Sequence, residues 1–216
     1  MTIEVTAFRR VPPFAEGLVR DLRVRWALEE AGLAYHAMLI GPEDQSTPSY
    51  RALQPFGQVP AYREEGLELF ESGAIVLHVG ERSEILLPRD PLGRARATAW
   101  MFAALNSVEP EVQQLAAIDL FYTDQAWAKE SRPTAVEAVR SRLTVLADRL
   151  GRRDYLEDRF TAGDLLMTTV LRILRHTDLV AEHPALDAYV RRCEARPAFQ
   201  KALADQLAPF AARATG

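Results

Sequence analysis

Thiols are nearly missing from this chain: of 216 residues, only Cys193 is a cysteine. No intrachain disulfide can therefore form. That suits a reducing compartment, and a cytoplasmic protein is expected. Lysine is almost as scarce, occurring only at 129 and 201, so the cationic charge is carried by arginine. Histidine occurs at 36, 78, 176 and 183. None of these spacings suits a set of metal ligands, and no metal site is expected. No apolar run reaches the length of a bilayer-crossing helix, so no membrane association is expected. The opening residues Met1-Thr2-Ile3-Glu4 lack a basic stretch followed by an apolar core, so no signal peptide is expected. A net charge of −4 argues against a general nucleic-acid binder.

What is present reads as an ordinary globular chain. Its hydrophobic content of 48 % supplies a core, and its length allows one large domain or two small ones. Ile3 to Phe8 is β-rich and roughly alternating, which predicts a first strand. Leu18 to Ala31 predicts a helix, with Gly32 as its stop. Tyr35 to Ile40 predicts a second strand, and the polar, turn-rich Gly41 to Ser49 a mobile loop. Ala61 to Phe70 alternates on both sides of Glu64-Glu65-Gly66 and predicts a hairpin. Ser72 to Glu81 predicts another helix.

Pro88-Arg89-Asp90-Pro91-Leu92-Gly93 stops any helix on either side and is the best linker candidate. The expected division is a first domain at 1–83, a linker at 84–93 and an all-helical domain at 94–216. Val136, Val139, Leu143, Leu146 and Leu150 repeat at spacings of three and four, which predicts one buried helix face. Trp100, Met101, Phe102 and Leu105 predict a helix buried on more than one side. At Thr161 a helix start is legible locally. Thr161 is a good N-cap, Asp164 sits at N3 to answer it, and Phe160 with Leu165 can staple the turn. This reads as a folding signal rather than chemistry. Cys193 reads as a core thiol, not a nucleophile.

The chemistry concentrates in Gln58-Val59-Pro60 and Glu71-Ser72. Pro60 gives no N–H to a ladder, so it belongs at a strand start or bend. Ser72 opens an apolar stretch, and a helix start favours anionic groups. The order strand, helix, Gln58-Val59-Pro60, hairpin, Glu71-Ser72 resembles the N-terminal domain of glutathione S-transferases. Arg23-Val24-Arg25-Trp26-Ala27-Leu28-Glu29-Glu30-Ala31-Gly32 is similar to that family's first helix. Phe160-Thr161-Ala162-Gly163-Asp164 is similar to the start of its sixth. The resemblance implies an α/β thioredoxin-like domain followed by an all-α domain, and a homodimer.

It also implies that glutathione lies along Gln58, Val59 and Pro60 and at the Glu71-Ser72 helix start. The expected activity joins the glutathione thiolate to a small, apolar electrophile. The alternatives are glutathione-dependent disulfide or peroxide reduction, and a non-catalytic binding or scaffold protein of the same fold. Family members usually place Ser, Tyr or Cys between the first strand and first helix to stabilise the thiolate. Arg9 to Leu22, which fills that place here, holds no hydroxyl and no thiol. Lowering a thiol pKa by two units needs about 2.7 kcal/mol, and one hydrogen bond to a charged group supplies roughly 1.5–3. One arginine with free N–H groups at Gly17 to Val19 suffices on those magnitudes. Arg20 is the nearest candidate and Arg10 the alternative.

Overall fold

The computed structural model describes residues 2–211. Four strands form one mixed sheet: β1 (Ile3–Phe8), β2 (Tyr35–Ile40), β3 (Ala61–Glu64) and β4 (Leu67–Phe70). The order is β2-β1-β3-β4. β1 and β2 run parallel, with Ile3 opposite Tyr35 and Phe8 opposite Ile40. Such a pair needs a crossover, and the intervening helix α1 (Asp21–Ala31) supplies it. β3 pairs antiparallel with both β1 and β4. Its hairpin turns at Glu65 and Gly66, which have φ of 44° and 84°. Two successive left-handed residues match the twist of the flanking strands, as the sequence predicts.

α1 begins at Asp21, three residues later than expected, because Glu16 to Arg20 forms turns instead. A short 3-10 turn, Pro13–Ala15, precedes them. Gly32 ends α1 in the left-handed conformation, where a side chain is penalised. The segment expected as a mobile loop contains α2 (Pro42–Gln45) and leads into α3 (Pro48–Leu53). Pro42 and Pro48 stand at helix starts, where a missing N–H costs nothing, and Thr47 caps α3 by accepting from the Tyr50 N–H. The polar, turn-rich composition that predicted a loop is that of two short capped helices.

α4 (Ser72–Gly80) completes the sheet-containing region. α10 (Pro197–Ala211) packs on α1. The Trp26 and Phe199 rings meet edge to face at 4.8 Å, and Arg196 grips Glu30 at 2.6 and 2.7 Å. The first compact unit therefore holds the described residues up to Leu87 together with those from Arg196 onward. The second runs from Pro88 to Ala195. The expected division at 83 and 94 differs in one large respect: the last helix clusters with the sheet.

The second unit contains α5 (Pro91–Phe102), a π-helical stretch (Ala103–Val108), α6 (Glu109–Leu120), α7 (Ala126–Leu150), α8 (Ala162–Leu171) and α9 (Pro184–Glu194). Val139, Leu143, Leu146 and Leu150 are buried on one face of α7 as expected, with Ala135 buried and Val136 only half-buried at its start. The expectation of a helix buried on several sides near Trp100 fails. Met101 is buried, but Phe102 is 56 % exposed. Cys193 is fully buried, as a core thiol should be. Among the described residues no helix is long and apolar enough to cross a membrane.

Candidate functional site

The Val59-Pro60 bend is built from both directions along the chain. Gly57 has φ of 64°, and a Cβ there would lie 2.7 Å from the Gln45 carbonyl oxygen. Only glycine fits that conformation and that approach. The Gln45 side-chain amide donates to the Gly57 carbonyl, and the Gln54 side chain accepts from the Phe56 N–H at 2.7 Å. The Val59-Pro60 peptide bond is cis. The Val59 side chain packs in a small core with Ile40, Tyr50, Leu53 and Ala61, joined by Phe8 and by Val19 of the first loop.

On each side of Val59-Pro60 a hydroxyl holds the backbone. Tyr50 Oη donates to the Gln58 carbonyl at 2.6 Å. Thr6 Oγ1 accepts from the Ala61 N–H at 2.7 Å. Among the described residues, no hydrogen bond engages the N–H or C=O of Val59 itself. Val59 is only 6 % exposed, and unpaired backbone polar groups in such a place are costly. The side chain of Gln58 is exposed beside it.

Glu71 and Ser72 stand at the start of α4. Glu71 is its N-cap, exposed, with φ of 68° and ψ of 114°. Non-glycine residues rarely hold such angles, and each costs about 1–3 kcal/mol. No side chain caps this helix, whose first internal bond is Ile75 N–H to Glu71 C=O at 3.0 Å. Ser72 is buried, and its hydroxyl accepts from Arg23 at 3.2 Å. Arg23 is 3 % exposed on α1, so a guanidinium charge lies beneath the start of α4. The sequence reading passed over Arg23. Its signal was the alternation of Arg23 and Arg25 with Leu22, Val24 and Trp26, which leaves no helix face wholly polar, since a buried cation needs a partner.

The candidates for thiol activation lie elsewhere. Arg20 is half-buried at the N-cap of α1, and Arg10 is exposed in the segment that follows β1. The expected supply of free N–H groups shrinks: the Leu18 N–H already donates to the Ala15 carbonyl at 3.0 Å. The entry to α1 is instead tied down by Gln206 of α10. Its amide donates to the Val19 carbonyl at 3.1 Å and to Asp21 at 2.6 Å. Arg25 Nε also donates to Asp21, at 2.7 Å. Burial opposes the Arg25 charge, but Asp21, with Tyr35 beside it, outweighs burial and holds the guanidinium proton above the usual range. Among the described residues no group of three His, Cys, Asp or Glu could hold a metal ion.

Three comparisons bear on this geometry. Residues 17–81 match the family described as glutathione S-transferase, N-terminal domain, and residues 113–197 its C-terminal domain. A glutathione S-transferase of Silene vulgaris is 30 % identical over 201 residues, covering 85 % of this chain and 92 % of that protein. A maleylacetoacetate isomerase of Pseudomonas aeruginosa is 30 % identical over 198 residues, covering 76 % of this chain and 87 % of the isomerase. The crystal structure of a Burkholderia graminis glutathione transferase, with two glutathione molecules bound per subunit, superposes with a TM-score of 0.82. It shares 27 % identity and covers 94 % of this chain and 88 % of its own.

Proposed function

The chain belongs to the glutathione S-transferase family, and from that premise we propose that it conjugates the glutathione thiolate to a small, apolar electrophile. One observation carries the reading: among the described residues the Val59 N–H and C=O lack partners, while both neighbouring peptides are pinned. An extended peptide ligand supplies one acceptor and one donor, as a strand added to a sheet edge does. The cysteinyl peptide of glutathione fits that description. Pro60 fixes the bend, and Gln58 borders the ligand.

The start of α4 would receive the other end of the ligand. Its first-turn N–H groups and the Ser72 hydroxyl suit the γ-glutamyl carboxylate, and Glu71 can accept from the γ-glutamyl ammonium. Arg23 adds positive charge behind Ser72. The ligand supplies the nucleophilic sulfur; the protein orients it and lowers its pKa. Arg20 is the first candidate for that second task and Arg10 the other. If Arg20→Ala and Arg10→Ala both leave the pH profile of turnover unchanged, neither arginine has the role. A homodimer in the cytoplasm goes with this reading.

Calorimetric titration with glutathione is the deciding experiment. No binding at millimolar glutathione removes the enzyme readings. If glutathione binds, a panel of aryl halides, enones, epoxides and mixed disulfides chooses between conjugation and reduction. A non-catalytic binding protein is the second reading, favoured by the absence of any hydroxyl or thiol from Arg9 to Leu22. Binding without turnover of any panel member would establish it.

A further inference from the structure

We propose that Thr6 and Tyr50 are positioning residues that present the Val59 backbone to glutathione, acting through the Gln58 carbonyl and the Ala61 amide. The inference rests on the glutathione reading above. Thr6 Oγ1 and Tyr50 Oη lie 3.0 Å apart. A tyrosine hydroxyl has a single proton, and that of Tyr50 is committed to the Gln58 carbonyl. The Thr6 hydroxyl must therefore donate to Tyr50, while it accepts from the Ala61 N–H. The chain of bonds runs one way: Ala61 N–H to Thr6, Thr6 to Tyr50, Tyr50 to Gln58 C=O. Bonds aligned in this manner polarise and strengthen one another.

This chain takes over where the sheet ends. β1 and β3 pair at Glu4 with Arg63 and at Val5 with Tyr62. One step further, the Ala61 N–H turns to the Thr6 side chain. A side chain thus replaces the ladder where the backbone must leave it for Pro60. Thr6 and Tyr50 are 3 % and 7 % exposed, so water does not compete for these bonds. Burial pushes the Tyr50 hydroxyl above its ordinary pKa, although its bond with Thr6 opposes the shift, so the proton given to Gln58 is retained. Val59 lies between the two held groups, its N–H and C=O aimed by neighbours that cannot swing. A preorganised backbone spends less binding energy on ordering.

The test uses the full chain and three variants, each titrated with glutathione well below its melting temperature. Tyr50→Phe keeps the ring and removes both hydroxyl bonds. Thr6→Val keeps the shape and breaks the chain at its other link. Thr6→Ser keeps the hydroxyl. Tyr50→Phe and Thr6→Val should each weaken glutathione binding about tenfold, with KM rising and kcat nearly unchanged. The double variant should match the weaker single one within about twofold, because both breaks fall in one chain. Thr6→Ser should restore binding to within about twofold of the parent.

Binding by Tyr50→Phe equal to that of the parent overturns the proposal and leaves the glutathione reading standing. So do strictly additive losses in the double variant, which would indicate two independent packing defects. A parent chain that binds no glutathione overturns the glutathione reading first, and this inference with it. Should a variant fail to fold, hydrogen exchange in the free parent decides: the Ala61 amide should be strongly protected, and exchange at the rate of an exposed amide overturns the chain of bonds.

Discussion

The starts of α8 and α4 both combine a hydroxyl residue with an acidic one, and they differ in what is left over. At α8, Thr161 accepts from the Gly163 N–H at 3.2 Å. Asp164 accepts from the N–H groups of Thr161 and Leu156 at 2.9 Å each and from the Tyr189 hydroxyl at 3.0 Å. Asp164 is wholly buried, and its own neighbours satisfy it. At α4, Glu71 is exposed, holds a φ of 68° and caps nothing. The first start is closed by the chain itself; the second is strained and open. Residue types alone do not separate a folding device from a binding one, whereas the disposition of N–H groups and carboxylates does.

The largest expected effect falls on the closed start. Asp164→Ala leaves the donors of Leu156, Thr161 and Tyr189 without their acceptor, each costing roughly 1–3 kcal/mol. A loss of about 4 kcal/mol should lower the melting temperature by roughly 8–16 °C. Glutathione affinity of the folded protein should not move. A melting temperature lowered by only a degree or two would erase the contrast, since Asp164 would then be dispensable to the fold.

At the open start the balance reverses. Ser72→Ala should weaken glutathione about tenfold to a hundredfold, the range for a hydrogen bond to a charged group. Its melting temperature should fall by less than that of Asp164→Ala. Glu71→Gly separates the two properties further. Glycine takes a positive φ without strain, so the variant should gain about 1 kcal/mol of stability. Its glutathione affinity should nevertheless fall, because the carboxylate proposed to meet the ammonium is gone. A variant both more stable and equally tight would show that Glu71 has no part in binding.

Why the first contrast was legible in sequence and the rest was not comes down to reach. The Thr161 to Asp164 cap spans three residues, and Gly32 and the Glu65-Gly66 turn act within their own segments. Local pattern therefore places them, along with the strands and α4. The bonds that shape the candidate site span far more chain. Thr6 meets Tyr50 across 44 residues, Arg23 meets Ser72 across 49, and Gln206 meets Asp21 across 185. No periodicity encodes such pairings. The one accessible clue was an energetic demand: Asp21, Arg23 and Arg25 alternate with Leu22, Val24 and Trp26, so charges had to turn inward and find partners. The assignment of α10 to the sheet-containing unit was hidden for the same reason.

The smallest expected effect sharpens the comparison from within the first unit. Glu64, only 6 % exposed, accepts from the Tyr62 hydroxyl at 2.6 Å and from Arg82 at 2.7 Å on both oxygens, with His78 Nε2 3.6 Å away. Burial pushes this carboxyl up. The hydrogen bonds from Tyr62 and Arg82, the Arg82 charge and His78 together outweigh burial and hold it below its ordinary 4.5. A group depressed in the fold keeps its proton longer when unfolded. It therefore adds stability above the unfolded pKa, and that contribution drains away as pH falls through the folded value. The parent should lose stability on acidification below about pH 4.5, and Glu64→Gln should lose less over that window, as urea midpoints taken at successive pH values will register. Like Asp164, Glu64 is closed on its own neighbours, so neutral-pH glutathione affinity should be the same in parent and variant. A change in affinity would mean that Glu64 belongs with Glu71 among the groups that face a ligand.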